Sequence, residues 1–230
     1  MPLLFFQALA DTTHNIIAPV AVAPTKINLM DLLMDGGPLM IPLGLLLVIA
    51  IYFFCERLMA IKKASRIEGN FMNIIRDQIM TGNIAAAKSL AKNTDNPVAR
   101  MIEKGIQRIG KPIEAIERNM ENVGRLEMYK MEKNVNILTI IAGLAPKFGF
   151  LGTIVGMIQL FFAITSTGKF ELNTIAGGIY VKMVTSATGL IIGLLAYVGQ
   201  QYLNTQIEKT ANKMEGASSE FLDILQEPTR

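Results

Sequence analysis

The sequence predicts an all-α polytopic membrane protein with three transmembrane helices, in which long second and third helices extend into a helical cytoplasmic domain. Three observations support this fold class. Hydrophobic residues make up 51% of the 230 residues, and the mean hydropathy is +0.37. Three apolar runs approach or exceed the roughly 20 helical residues that cross a hydrocarbon core of about 30 Å. Charged residues are concentrated between the first two runs and after the third.

The chain opens with a hydrophobic segment, residues 1–37, which is broken by prolines and by Asp11. No part of it reaches spanning length, so we predict an amphipathic segment on the periplasmic surface of the membrane. A cleaved signal peptide is the alternative, although the start lacks basic residues. Residues 38–56 form the first predicted span, because the chain carries no charge from Leu39 to Cys55.

Residues 57–134 are predicted to form a cytoplasmic helical domain, since fifteen Lys or Arg and nine Asp or Glu replace the long apolar runs there. Gly82 is placed to end one helix, and Asn96 before Pro97 is typical of a helix start. From Pro112 onward the apolar spacing continues into the second span without a Gly or Pro break. A single long helix is therefore predicted to enter the membrane from this domain.

The positions of the basic residues predict the orientation. Arg57, Lys62, Lys63, Lys130 and Lys133 lie close to the ends of the first two spans, whereas residues 1–37 contain few positive charges. Because positive flanks stay in the cytoplasm, the N-terminus is predicted to be periplasmic and the C-terminus cytoplasmic.

The second span, residues 135–165 with a membrane core at about 143–163, is rich in small residues at helical spacing: Ala145, Gly149, Gly152, Thr153 and Gly156. Small residues let helices approach closely in lipid, so these glycines are expected to serve helix packing, including contacts that build a ring of copies. Pro146 is expected to bend the helix. Lys147 is expected to reach the cytoplasmic surface as an anchor, with a functional role as the alternative.

A periplasmic loop, residues 166–173, leads to the third span, residues 174–203, and to a polar cytoplasmic tail, residues 204–230. One face of the third span carries small and polar residues at spacings of three and four: Lys182, Thr185, Ser186, Gly189 and Gly193. Lys182 lies about eight residues inside the membrane, which favours contact with a partner or a watery cavity. Snorkelling of its side chain to the periplasmic surface is the alternative.

Two hydroxyls lie near the middle of their spans, Thr153 on the second and Ser186 on the third. Antiparallel neighbours would bring them to one depth and form a polar ring. The alternative is that each hydroxyl only bonds the carbonyl one turn earlier, and spacing alone does not decide between the two.

Several functions are excluded by what the sequence lacks. The chain has one cysteine, Cys55, and one histidine, His14, so neither a disulfide framework nor a His or Cys metal site is expected. Cys55 is expected to be buried. The net charge of +3 does not suggest nucleic acid. No nucleophile has a base at a catalytic spacing, so we expect neither an enzyme nor a cofactor.

Two segments resemble the MotA, TolQ and ExbB family of ion-channel subunits, most closely its ExbB and TolQ branch. APKFGFLGTIVGMI at Ala145–Ile158 is similar to the family pattern APLLGLLGTVxGMI, and KMVTSATGL at Lys182–Leu190 is similar to ALxxTAxGL. The resemblance covers roughly residues 30–210. Two departures concern the third span: Val181 stands where ExbB and TolQ members usually carry glutamate, and Lys182 replaces the alanine.

The resemblance implies a ring of five copies around the single-span helices of a partner like ExbD or TolR, whose membrane aspartate binds the translocated ion. Thr153 matches the pore threonine of the second span, and Ser186 matches the threonine of the third. Lys182 and Thr185 are then candidates for contact with the partner or for neighbours of the ion path.

The resemblance also implies a bacterial inner-membrane motor that couples the proton motive force to work at the outer membrane, with TonB-dependent uptake and a TonB-like protein as the expected output. The proton is the expected ion, and sodium is the alternative. A non-conducting membrane scaffold and a motility-type stator are the other hypotheses, although stators of the MotA type carry an additional span.

Overall fold

The computed structural model describes residues 38–65, 69–168 and 172–227. Within these ranges every regular element is an α-helix, which confirms the predicted fold class. The seven helices are α1 Met40–Ala64, α2 Phe71–Met80, α3 Ile84–Asn93, α4 Pro97–Ile106, α5 Ile113–Glu132, α6 Val135–Thr167 and α7 Leu172–Gln226. The predicted N-terminal segment, residues 1–37, and part of the predicted periplasmic loop lie outside the described residues.

Three of these helices, α1, α6 and α7, are long and apolar enough to cross a membrane. The 33 residues of α6 extend about 50 Å and the 55 residues of α7 about 80 Å at 1.5 Å per residue. Since a hydrocarbon core is about 30 Å thick, most of the excess length of α7 continues past the membrane. Its second half packs against α2, α4 and α5 and completes a helical domain outside the membrane hairpin, where the sequence predicts the cytoplasmic domain.

The predicted continuity between the cytoplasmic domain and the second span is wrong, because the chain breaks between α5 and α6. Lys133 is extended, with φ −51° and ψ 133°, and Asn134 has a left-handed φ of 67°. Asparagine adopts this conformation more readily than most residues, so the helix ends without glycine or proline. The second span therefore begins at Val135 as a helix of its own.

The predicted helix boundaries at Asn96 and Gly82 are confirmed. The Asn96 side chain accepts a hydrogen bond from the backbone N–H of Ala99 at 2.6 Å, with Pro97 in the first helical turn. Gly82 follows the end of α2 with a φ of 75°. Both positions use the local chemistry expected of helix caps.

An ionic network joins the C-terminal end of α1 to α4 and α5. Arg100 bonds Asp95 at 2.7 Å and Glu127 at 2.6 Å, while Lys63 pairs with Asp95 and Lys130 with Glu127. Burial raises the pKa of the Glu127 carboxyl, but hydrogen bonds and charges from Arg100 and Lys130 outweigh this effect, and the net pKa is below its ordinary value. Glu127 therefore stays ionised at neutral pH and holds α4 to α5.

Cys55 is exposed on α1, contrary to the expectation that it is buried. The reason is that α1 contacts the other spanning helices along only one side, with Leu43, Ala50 and Ile61 as its buried residues. In a membrane helix the residues that face lipid and those that pack against other helices are both apolar, so the sequence does not show which of them are buried.

Candidate functional site

The centre of the membrane hairpin is a close crossing of α6 and α7 through glycines. A Cβ added at Gly189 would lie 2.6 Å from the carbonyl oxygen of Ala145 and 2.9 Å from the Cα of Gly149. A Cβ added at Gly193 would lie 2.6 Å from the Cγ of Pro146. Two backbones come this close only where side chains are absent.

All five glycines assigned to helix packing lie in this crossing: Gly149, Gly152, Gly156, Gly189 and Gly193. Each of them faces the opposite helix of the same chain. The contacts between copies that were also expected of these glycines would therefore have to use other surfaces of the hairpin. α6 continues through Pro146, whose ring fills the space beside Gly193.

The side chain of Lys182 packs against α6 at Gly156. Its Cδ, Cε and Cγ atoms occupy the space that a side chain at Gly156 would take, with Cγ 2.5 Å from the added Cβ. The absence of a side chain at Gly156 thus makes room for the aliphatic stem. Between Glu132 and Glu208 the sequence contains a single acid, Glu171, so the membrane part of the hairpin holds no carboxylate.

Thr153 and Ser186 lie at similar levels of the hairpin. The Cγ2 atom of Thr185 lies 2.9 Å from a Cβ added at Gly152, so these two residues face each other across the crossing. Thr153 and Ser186 are the next residues on the two antiparallel helices, which places them about 3 Å apart along the hairpin axis. Both are partly buried.

Thr153 and Ser186 also lie on the side of the hairpin away from α1. A cavity of about 310 Å³ on the α1 side is lined by residues that include Ala50, Phe54, Leu138 and Ile192. The opposite side carries an open groove of about 520 Å³, lined by residues that include Pro146 and Leu190.

Helical spacing extends this open groove to the two hydroxyls. Thr153 lies seven residues, or two turns, beyond Pro146, and Ser186 lies four residues before Leu190. The pair therefore continues the open side of the crossing. We call the side formed by Thr139, Pro146, Thr153, Ser186, Leu190 and Tyr197 the open face.

The hydroxyl of Thr153 donates a hydrogen bond to the carbonyl oxygen of Phe150 at 2.6 Å. The Thr153 hydroxyl proton is therefore bonded within its own helix, as expected if the residue only replaces alanine there. The hydroxyl oxygen keeps lone pairs that accept a hydrogen bond from water or coordinate a cation. The buried Thr185 bonds back to the carbonyl of Val181 at 3.4 Å. Thr185 faces Gly152 inside the crossing, so of these two hydroxyls only that of Thr153 lies on the open face.

Lys147 lies beyond the part of α6 that packs on the second half of α1. Leu138 lines one cavity with Ala50 and Phe54, near the C-terminal end of α1. Lys147 follows nine residues later, which is about 13 Å farther along α6. Its side chain is exposed on the single chain. Its expected role as an anchor at the cytoplasmic surface stays a prediction.

The sequence is similar to a family model and to several known membrane proteins. The profile of the MotA/TolQ/ExbB proton channel family matches residues 93–216. The chain is 33% identical to the biopolymer transport protein exbB1 of Vibrio cholerae over 90 residues, which are 39% of this chain and 40% of that protein. It is 25% identical over 175 residues, 74% of this chain, to the putative biopolymer transport protein ExbB homolog of Methanothermobacter thermautotrophicus, covering 62% of that protein.

A third relative is a TolQ protein. The chain is 25% identical over 113 residues to the Tol-Pal system protein TolQ of Haemophilus influenzae, covering 49% of this chain and 50% of that protein. These matches span less than two thirds of each of the three relatives. They confirm the resemblance seen in the two sequence segments.

Proposed function

This chain belongs to the MotA/TolQ/ExbB proton channel family, in its ExbB and TolQ branch, and we propose that it is the ion-conducting subunit of an energy-transducing complex in the bacterial inner membrane. The observation that carries the proposal is the open face, where Thr153 and Ser186 lie at similar levels, away from α1. In a ring with α1 on the outside, this face points to the centre. Ions then pass along hydroxyl oxygens held by helix backbones.

The path needs a carboxylate that this chain does not provide in its membrane hairpin. We propose that a single-span partner like ExbD or TolR contributes a membrane aspartate, and that five copies of this chain surround it. Lys182, with its stem held on Gly156, contacts the partner. An ion pair there removes the barrier that an isolated ammonium would present to a cation.

The driven process is proposed to be work at the outer membrane, most directly TonB-dependent uptake through a TonB-like protein. The N-terminus is periplasmic and the C-terminus cytoplasmic in this proposal, as the positive flanks of the spans require. The translocated ion is the proton. Sodium remains the alternative, because hydroxyl oxygens coordinate either a hydrated proton or a sodium ion.

A non-conducting scaffold is the second candidate function, and one observation favours it. The Thr153 proton is bonded to the Phe150 carbonyl, as in a hydroxyl that only replaces alanine in a membrane helix. The scaffold tolerates loss of the hydroxyl, whereas the channel does not.

Replacing Thr153 by valine separates the two functions, because valine keeps the shape and removes the oxygen. In the complex reconstituted with its partner, we expect ion-driven activity to fall at least tenfold in Thr153→Val while assembly is unchanged. Thr153→Ser should recover activity. Thr165→Val is the matched control, since the Thr165 hydroxyl also bonds back to the backbone, at 2.9 Å from the Phe162 carbonyl. Normal activity in Thr153→Val would leave the scaffold as the better explanation.

A further inference from the structure

A second groove lies outside the membrane hairpin, between α5 and the second half of α7. It encloses about 600 Å³. Its lining residues come from α4, α5 and the second half of α7. We call it the acidic groove. The ion path does not use it.

The floor of the acidic groove is apolar and adaptable. Met101, Met128 and Met214 line it together with Leu222. A Cβ added at Gly124 would lie 3.6 Å from the Cε of Met214 and 3.7 Å from the Sδ of Met101, so the absence of a side chain there keeps the groove open. Methionine side chains repack around different apolar partners, which makes such a floor suited to a helix or extended segment.

The walls of the groove are acidic. Arg125 pairs with Glu121 at 2.5 Å. Within residues 38–65, 69–168 and 172–227, no ion pair is formed by Glu117, Glu132 or Glu215. The groove therefore presents three uncompensated negative charges beside an apolar floor, which is complementary to a basic amphipathic segment.

The acidic groove follows the open groove along α7. Leu190 and Tyr197 line the open groove, and Ala211 and Ser218 line the acidic groove. Successive members of this set are separated by seven or fourteen residues, and positions seven residues apart drift by about 20° around a helix, so Ser218 lies about 80° around α7 from Leu190. A polypeptide that runs along the open face and turns with this drift arrives at the acidic groove.

On the basis of the proposed function, we propose that the acidic groove binds the cytoplasmic tail of the single-span partner, as a basic amphipathic segment. A single-span helix whose tail stays in the cytoplasm carries Lys and Arg there, by the same rule that orients this chain. From Glu117 to Glu132 the groove follows about 22 Å of α5, the length of a helix of about 15 residues. The tail thus ties the partner to the cytoplasmic domain as well as to the membrane hairpin.

The test measures binding of a synthetic probe to the full chain in nanodiscs of zwitterionic lipid. The probe is a fluorescent 15-residue peptide with Leu and Lys at helical spacing and a net charge of about +5, and empty nanodiscs give the blank. We expect the double variant Glu117→Lys and Glu215→Lys to bind it at least tenfold more weakly than the unmodified chain. The matched double variant Glu114→Lys and Glu208→Lys changes the same charge on the same two helices outside the groove, and we expect less than a threefold loss.

Equal losses in the two double variants, or no binding to the unmodified chain above the blank, would overturn the proposal. Native mass spectrometry counts the copies in the ring formed by the double variant Glu117→Lys and Glu215→Lys. A ring with fewer copies than the unmodified one would overturn the proposal and assign the groove to a neighbouring copy of this chain. Peptide binding requires no ion flow. Failure of binding with ion-driven activity intact therefore overturns only the groove, and loss of ion-driven activity with binding intact overturns only the proposed function.

Discussion

Gly189→Val is expected to separate the two helices of the membrane hairpin and to destabilise the protein by about 3 kcal/mol. The added side chain would meet the carbonyl oxygen of Ala145 and the Cα of Gly149, both of them backbone atoms that cannot rotate away. The helices must then move apart along the whole crossing. The measurement is thermal unfolding of the purified protein in detergent, followed by circular dichroism at 222 nm, and we expect a clear fall in Tm.

The control for this prediction is Gly177→Val on the same helix. Nothing lies within 4 Å of a Cβ added at Gly177, so the same change of residue meets open space in the chain. Its Tm should stay near that of the unmodified protein. A Gly189→Val protein with an unchanged Tm would show that the close crossing of α6 and α7 is not what holds the hairpin together.

Lys182→Met is expected to abolish recovery of the partner while leaving the subunit folded. Methionine keeps an unbranched stem over Gly156 and removes only the charge, so packing of the hairpin is preserved. Without the ammonium, the partner's carboxylate loses its counter-charge in a medium of low dielectric constant. The measurement is the amount of partner that co-purifies with the tagged chain, and we expect at least a tenfold reduction.

Two further variants check that charge is the cause. Lys182→Arg keeps the positive charge and should retain most of the partner. Lys209→Met removes an exposed lysine from the second half of the same helix and should have no effect on recovery. If Lys182→Met recovers the partner as well as the unmodified chain does, the lysine only reaches the membrane surface and does not contact the partner.

The fold was predictable where local chemistry decides it. Apolar runs of spanning length, the Asn96 cap and the turn at Gly82 are all encoded within a few residues, and the structure has each of them. The break at Asn134 was not predictable in the same way. It needs only one residue in a left-handed conformation, and asparagine adopts that conformation or a helical one according to the packing around it.

For the candidate site, the sequence predicts the level of Thr153 and Ser186 along their spans but not the side of the hairpin on which they lie. Antiparallel neighbours place residues near the middle of two spans at similar depth, which is why Thr153 and Ser186 could be paired from the sequence. Which side of the crossing they occupy depends on where α1 packs, and α1 meets α6 and α7 through ordinary apolar residues that carry no directional signal.

The acidic groove had no signature in the sequence. Its glutamates alternate with basic residues along α5, and spacing of this kind is typical of a solvated helix surface. The groove arises because Gly124 and three methionines leave space between α5 and α7, helices that are separated by a whole membrane hairpin in the chain. Contacts between such distant segments are set by the tertiary packing.

The most direct test of ion conduction is proton entry into liposomes that contain this chain together with its single-span partner. A potassium diffusion potential supplies the driving force, and a pH-sensitive dye inside the liposomes reports entry. We expect acidification that requires both proteins and is absent from liposomes containing this chain alone. An assembled complex across which neither protons nor sodium ions pass would contradict the assignment of this chain as a conducting subunit.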